Sequence, residues 1–172
     1  ICSLIRQDSA EEFISYVNRK NTSLSSRIQP SIFETNSFLI GKRPTLIEYA
    51  TFFGSIQIIQ YLQFNKVQLT NSMWFYCIHS NNAELIHFLE VNEIKPKENS
   101  QVKNYFGMYS YLNENSQLKN YFGVYSYLND KEKEQSITYE EIYEEAIICH
   151  HNEIADYIKN NFLNQDQITK FE

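Results

Sequence analysis

One short stretch near the C-terminal end of the chain carries residue types that could bind a metal. Cys149, His150 and His151 are consecutive, and Glu145 and Glu153 lie on either side of them. On a helix, side chains that share one ion sit three or four residues apart, whereas three consecutive residues fan out over roughly 200°. Glu145 and Cys149 have the required spacing but lack a third and a fourth ligand. The pattern therefore favours a turn or a helix cap, and we expect no metal and no cofactor.

Motifs of catalysis are missing from the sequence. The chain has no glycine-rich phosphate loop, no nucleophile elbow and no HExxH metal motif. The histidines His79 and His87 have no partner that the sequence reveals. We therefore expect no catalytic residues and no enzymatic activity in this chain.

Composition restricts the classes of partner. The 172 residues carry a net charge of −6, which offers no overall attraction for phosphate backbones or anionic lipid. No apolar run approaches the 18 or so residues that span a bilayer. The three cysteines, Cys2, Cys77 and Cys149, are far apart and form no CxxC pair, which is typical of a reducing compartment. We expect a cytoplasmic protein that binds neither nucleic acid nor membrane.

The chain repeats itself with a spacing of 27 residues. Residues 46–62 return as residues 73–89, and weaker copies lie at 142–158 and, in part, at 5–17. Apolar residues recur within each copy at helical spacing, and only four glycines and three prolines interrupt the chain. A period of this length predicts an all-α solenoid of antiparallel helix pairs that bury their apolar faces by stacking. We expect pairs at about 46–64, 73–91 and 140–162, with turns at Asp8, Gly54, Asn81 and His150.

The same residues resemble the ankyrin repeat. Eight positions of one unit fall at the offsets of the ankyrin consensus, namely Thr45, Ile47, Ala50, Gly54, Ile58, Ile59, Leu62 and Val67. Three positions depart from it: Leu46 replaces a proline, Glu48 a histidine and Lys66 the glycine that ends the second helix. These departures put the hydrogen bonds between repeats and the β-hairpin fingers in doubt, but not the helix pair.

A closer resemblance links the chain to a large ankyrin-like family of trichomonad protists. It rests on residues 31–36, 45–50, 52–58 and 149–152, together with Trp74, Ile78 and His79. The resemblance covers nearly the whole chain except residues 100 to about 136. The domain of this family has no assigned biochemical function, so the resemblance strengthens the fold and leaves the partner open.

The ankyrin resemblance implies a monomeric protein–protein interaction module that binds another protein. In that fold the first helices and the finger tips face a groove, and the positions that usually vary there map onto six residues of this chain: Tyr49, Phe52, Tyr76, His79, Glu145 and Ile148. We expect these side chains to be exposed and to bind the partner. The alternative is that shortened fingers place Phe52 and Tyr49 in the core. The chain could instead be an architectural spacer in a longer array, or the regulatory arm of an enzyme whose catalytic domain is absent.

A tandem duplication interrupts the repeats at about 100–135. Residues 100–113 return sixteen residues later as 116–129 with only two differences. Each copy fits a short amphipathic helix, which would add one more antiparallel pair, but a hairpin and a poorly ordered loop are alternatives. Such a recent copy could also have no selected function. At 172 residues we expect a single domain, residues 1–172. The chain begins at Ile1, without Met and without a helix start signal, so we expect this domain to be a fragment of a longer protein.

Overall fold

The chain is described by a computed structural model that covers residues 1–40, 42–96 and 137–163. Within these ranges it forms eight helices and no strand, which confirms the all-α prediction. The helices are α1 (Cys2–Arg6), α2 (Ala10–Lys20), α3 (Leu46–Phe52), α4 (Ile56–Phe64), α5 (Met73–Ser80), α6 (Ala83–Val91), α7 (Tyr139–Ile148) and α8 (Asn152–Phe162). The expected pairs at 46–64, 73–91 and 140–162 are therefore confirmed. The duplicated insertion at about 100–135 lies outside the described residues.

The helices of each pair are joined by a sharp turn of one recurring kind. A residue in the left-handed conformation follows the first helix of every pair, at Asp8, Gly54, Asn81 and His150, with φ of 49°, 68°, 49° and 58°. At Gly54 the turn forms a Schellman motif, because Gly54 N–H bonds to Thr51 O at 3.1 Å and Ser55 N–H to Ala50 O at 2.9 Å. The four predicted turns are thus confirmed.

Two helices begin at a capping box that the sequence encodes. Thr45 Oγ1 accepts from Glu48 N–H at 3.3 Å, and Glu48 Oε2 accepts in return from Thr45 N–H at 2.7 Å. Thr138 and Glu141 repeat the arrangement at 3.3 Å and 3.0 Å. These reciprocal bonds satisfy backbone donors that the first turn would otherwise leave unpaired. The starts of α3 and α7 are therefore determined locally.

Successive pairs stack in chain order. The first helices α1, α3, α5 and α7 each contact the next, and α2 also packs on α4. The apolar stripes lie between the pairs, where Ile58, Ile59, Leu62, Leu85, Ile86 and Leu89 are all buried. A shallow groove opens between the second helices α4 and α6. Among the described residues, no helix is long and apolar enough to cross a membrane.

Polar bonds join neighbouring pairs. The Asp8 carboxylate accepts from Gln57 N–H and Ile58 N–H at 3.0 Å each, so the first turn caps helix α4 of the next pair. The buried Glu48 side chain accepts from Ser72 Oγ at 2.5 Å, and Ser72 stands at the start of α5. Glu48 therefore links its unit to the next one from the position where the ankyrin consensus has histidine.

Candidate functional site on the inner face

Residues 31–40, together with Lys42, lie across the first helices and cover one of their faces. Arg6 of α1 donates from its guanidinium to Glu34 Oε2 at 2.9 Å and from Nε to the Tyr49 hydroxyl at 2.8 Å. Glu34 precedes α3 in the chain, so this ion pair holds the loop against α1. We call residues 31–40 with Lys42 the covering segment. It lies on α1, α3 and α5, and we call the face of the first helices on that side the inner face.

Phe38 anchors the middle of the covering segment. Its ring stacks on Phe52 of α3, with the centroids 5.7 Å apart, and meets Tyr76 of α5 edge-on at 5.2 Å. The His79 ring lies 3.8 Å from the same ring, and Lys42 Nζ lies 3.3 Å from its centroid. Aromatic pairs in such geometries add about 0.5–1.5 kcal/mol each beyond the burial of their surface. Phe38 thus occupies the inner face in the place expected for a partner.

The expected exposure of three predicted partner-binding residues is wrong. Tyr49, Phe52 and Tyr76 are only 2%, 8% and 7% exposed. The physical reason is the covering segment, which excludes water from their rings through Phe38 and through the Arg6 bond to Tyr49. The alternative that placed Phe52 and Tyr49 in the core is therefore correct about their burial. Its stated cause was shortened fingers, whereas in the structure the covering segment buries these rings.

The other three predicted residues retain access to solvent. His79 and Glu145 are partly buried, and Ile148 near the end of α7 is 51% exposed. The roles of all six residues in partner binding stay predictions.

Two of these residues meet a cysteine. His79 Nε2 lies 2.7 Å from Glu145 Oε1, and Cys149 Sγ lies 3.5 Å from His79 Nδ1 and 3.8 Å from Nε2. Helix α5 supplies His79 near its end, while Glu145 and Cys149 stand one turn apart at the end of α7. We call these three residues the His–Glu–Cys cluster.

Sequence reasoning missed this cluster because it searched for ligands close in the chain. His79 is 66 residues from Glu145, so their spacing in the sequence gives no sign that the two side chains are in contact. The repeat pattern itself held the signal, since it places His79 and Glu145 on neighbouring first helices. His79 is therefore a third potential ligand beside Glu145 and Cys149, which their spacing in the sequence did not reveal.

Burial shapes the electrostatics around the cluster. It raises the pKa of the Cys149 thiol to about 11, with the Glu145 carboxylate adding to the rise. It lowers the pKa of the Lys42 amine to about 8, against the opposing effect of Glu145 and Glu48. At neutral pH the thiol therefore keeps its proton, which argues against Cys149 as an activated nucleophile.

Comparison of the whole chain with known proteins found no match. No family model matches the chain, and no curated protein or solved structure matches it either.

Proposed function

We propose that this chain is an ankyrin-like repeat module that binds another protein through the covering segment. The 27-residue repeat and the contacts between successive first helices support the ankyrin-like architecture. Stacked units of this kind form long surfaces that are typically used for binding.

The observation that carries this proposal is a pair of adjacent apolar side chains on the covering segment. Ile32 and Phe33 are 84% and 82% exposed. The residues that follow them are held down, by Glu34 on Arg6 and by Phe38 on Phe52. A large apolar pair on an anchored segment loses little conformational entropy on binding, which suits a hot spot.

The binding surface proposed for the inner face thus differs from the one expected from the sequence. The buried rings of Tyr49, Phe52 and Tyr76 support the covering segment, and the segment presents Ile32 and Phe33 to the partner. Ile148 offers a further apolar contact beyond His79 and Glu145 on the same row of first helices.

The experiment compares two phenylalanines of equal exposure. Phe33 lies on the covering segment, and Phe64, which is 83% exposed, ends helix α4 in the row of second helices. Proteins captured from cells by the wild-type chain are purified and titrated against wild type, Phe33→Ala and Phe64→Ala. Phe33→Ala should weaken binding by about 2 kcal/mol, roughly 30-fold, whereas Phe64→Ala should change it little.

The design separates loss of binding from loss of fold. Both side chains are exposed, so both variants should unfold at the denaturant concentration of the wild type. If Phe64→Ala weakens binding as much as Phe33→Ala, or if no captured protein binds saturably, the proposed interaction surface is refuted.

A further inference from the structure

We propose that the His–Glu–Cys cluster is a binding site for a divalent cation of the zinc class. His79, Glu145 and Cys149 each offer one ligand atom, and these atoms all lie within 4.8 Å of one another. An imidazole nitrogen, a carboxylate oxygen and a thiolate sulfur are the donors that Zn²⁺ takes in proteins. This inference concerns an ion and is independent of the proposed partner surface.

The distances within the cluster are close to those a tetrahedral ion requires. Zinc–nitrogen and zinc–oxygen bonds of about 2.0–2.1 Å and zinc–sulfur bonds of about 2.3 Å place nitrogen and sulfur about 3.6 Å apart, and nitrogen and oxygen about 3.3 Å apart. His79 Nε2 lies 3.8 Å from Cys149 Sγ and 2.7 Å from Glu145 Oε1. An ion would therefore need the distance between His79 Nε2 and Glu145 Oε1 to lengthen by about 0.6 Å. The Glu145 oxygen and Cys149 Sγ, which lie within 4.8 Å of each other, would have to stand about 3.6 Å apart.

The cluster is accessible from one side and shielded on the other. The His79 and Glu145 side chains are 16% and 23% exposed, which leaves a path for an ion. The Phe38 ring lies against the His79 ring and shields it from water. Three protein ligands leave a fourth position for a water molecule. Binding would release the Cys149 thiol proton to solvent, because the thiolate is the ligand.

The site also has a structural consequence. His79 belongs to α5, whereas Glu145 and Cys149 belong to the end of α7. An ion held by all three would bridge two neighbouring helix pairs. Binding of the ion should therefore stabilise the packing of the last pair on the one before it.

Co²⁺ is the spectroscopic probe for the test. The purified chain is reduced, freed of metal by a chelator and titrated with Co²⁺ alone. We expect a thiolate-to-cobalt charge-transfer absorption in the near ultraviolet that saturates at one equivalent and disappears when Zn²⁺ is added. Cys149→Ser should abolish this absorption, and Cys2→Ser, the matched control, should leave it unchanged. Absence of the absorption in wild type, or its persistence in Cys149→Ser, would overturn the proposal.

The two other ligands are tested by affinity. His79→Gln and Glu145→Gln should each weaken Co²⁺ binding by more than about tenfold. Lys42→Met should strengthen it several-fold, because the Lys42 ammonium interacts with Glu145 and would repel a cation bound there. Unchanged affinity in these three variants would place the ion elsewhere and refute the assignment.

A measurement on the wild-type chain removes any dependence on how the variants fold. Iodoacetamide labels the free cysteines, and mass spectrometry follows each of them with and without Zn²⁺. Zn²⁺ should slow the labelling of Cys149 by about tenfold or more, because a metal-bound thiolate is a poorer nucleophile, and should leave Cys2 unchanged. Equal labelling of Cys149 in both conditions would overturn the proposal.

Discussion

At the scale of single residues, Lys42 stands out because burial disfavours its charged form. Its ammonium lies 3.3 Å from the centroid of the Phe38 ring, and burial lowers its pKa from 10.5 to about 8. Attraction to the ring face and to nearby carboxylates offsets part of the cost of leaving water. The lysine contacts the Phe38 ring over the inner face, and burial there disfavours its charged form relative to the unfolded chain.

Replacing Lys42 by methionine should stabilise the protein at pH 7. A depressed lysine pKa means that the unfolded chain binds the proton more tightly, so the cost is full below pH 8 and falls as pH rises from about 8 to 10.5. The shift corresponds to about 3 kcal/mol at most, and we expect about 1–2 kcal/mol because the side chain is only partly buried and contacts a ring.

Denaturant unfolding of both proteins at several pH values between 7 and 9.5 checks this. The difference between Lys42→Met and wild type should shrink as the pH rises, and comparing the two cancels the titration of groups that they share. A difference that stays constant with pH would mean that Lys42 is not desolvated.

At the scale of helices, three of the four second helices end in a turn like those within the pairs. Left-handed residues follow α2, α4 and α6, at Asn21, Lys66 and Glu93. At Lys66 the bonds form a Schellman motif, with Lys66 N–H to Gln63 O at 2.9 Å and Val67 N–H to Leu62 O at 3.1 Å. Lysine and glutamate adopt this conformation at a cost of about 1–2 kcal/mol. The left-handed turn therefore forms at Lys66 and Glu93 although neither residue is glycine.

Lys66→Gly should raise the free energy of unfolding by about 0.5–1 kcal/mol. Lys66 has φ of 63° and an exposed side chain, so glycine relieves backbone strain and removes little packing. Asn65→Gly is the matched control: Asn65 is also exposed but has φ of −83°, and glycine there should destabilise by a similar amount. The shift of the urea midpoint measures both changes. Equal destabilisation by the two glycines would contradict the left-handed assignment of Lys66.

At the scale of the whole molecule, the order of contacts follows the order of the chain. Phe13 of α2 is buried, and its ring meets Tyr61 of α4 edge-on at 6.1 Å. At the other end Trp74, the single tryptophan of the chain, packs against Tyr139 and Phe162, with centroids 6.0 Å and 6.2 Å away. Its fluorescence should therefore report on the last two helix pairs and not on the first.

Phe13→Ala should uncouple the two ends during unfolding. The cavity should cost about 3–5 kcal/mol, and in a stack whose units touch only their neighbours the loss should fall mainly on the first pair. Far-ultraviolet circular dichroism should then change at a lower urea concentration than Trp74 fluorescence. Ile158→Ala, a buried residue of the last pair, is the control and should shift the fluorescence transition itself. Coincident transitions in Phe13→Ala would show a single cooperative unit instead.

The sequence alone determined the helices and the turns between them. Apolar spacing located the pairs at 46–64 and 73–91 to the residue, and the last pair begins at Tyr139, one position before the predicted start. Thr45 with Glu48 starts a helix, and Gly54 ends one, through bonds that span a few residues. These helix starts and turns depend on bonds between residues a few positions apart, so they can be predicted without the tertiary structure.

Only the tertiary structure decided which faces are covered and which distant side chains meet. The covering segment has no helical pattern. Its position depends on the packing of Phe38 against Phe52 and Tyr76. It depends also on the ion pair between Arg6 and Glu34. The sequence left burial of Tyr49 and Phe52 as one of two alternatives, and the structure decided between them, because burial is a property of neighbours and not of a residue's position in a repeat. The contact of His79 with Glu145 and Cys149 likewise depends on how α7 packs on α5, since chain positions 66 and 70 residues apart carry no local signal of proximity.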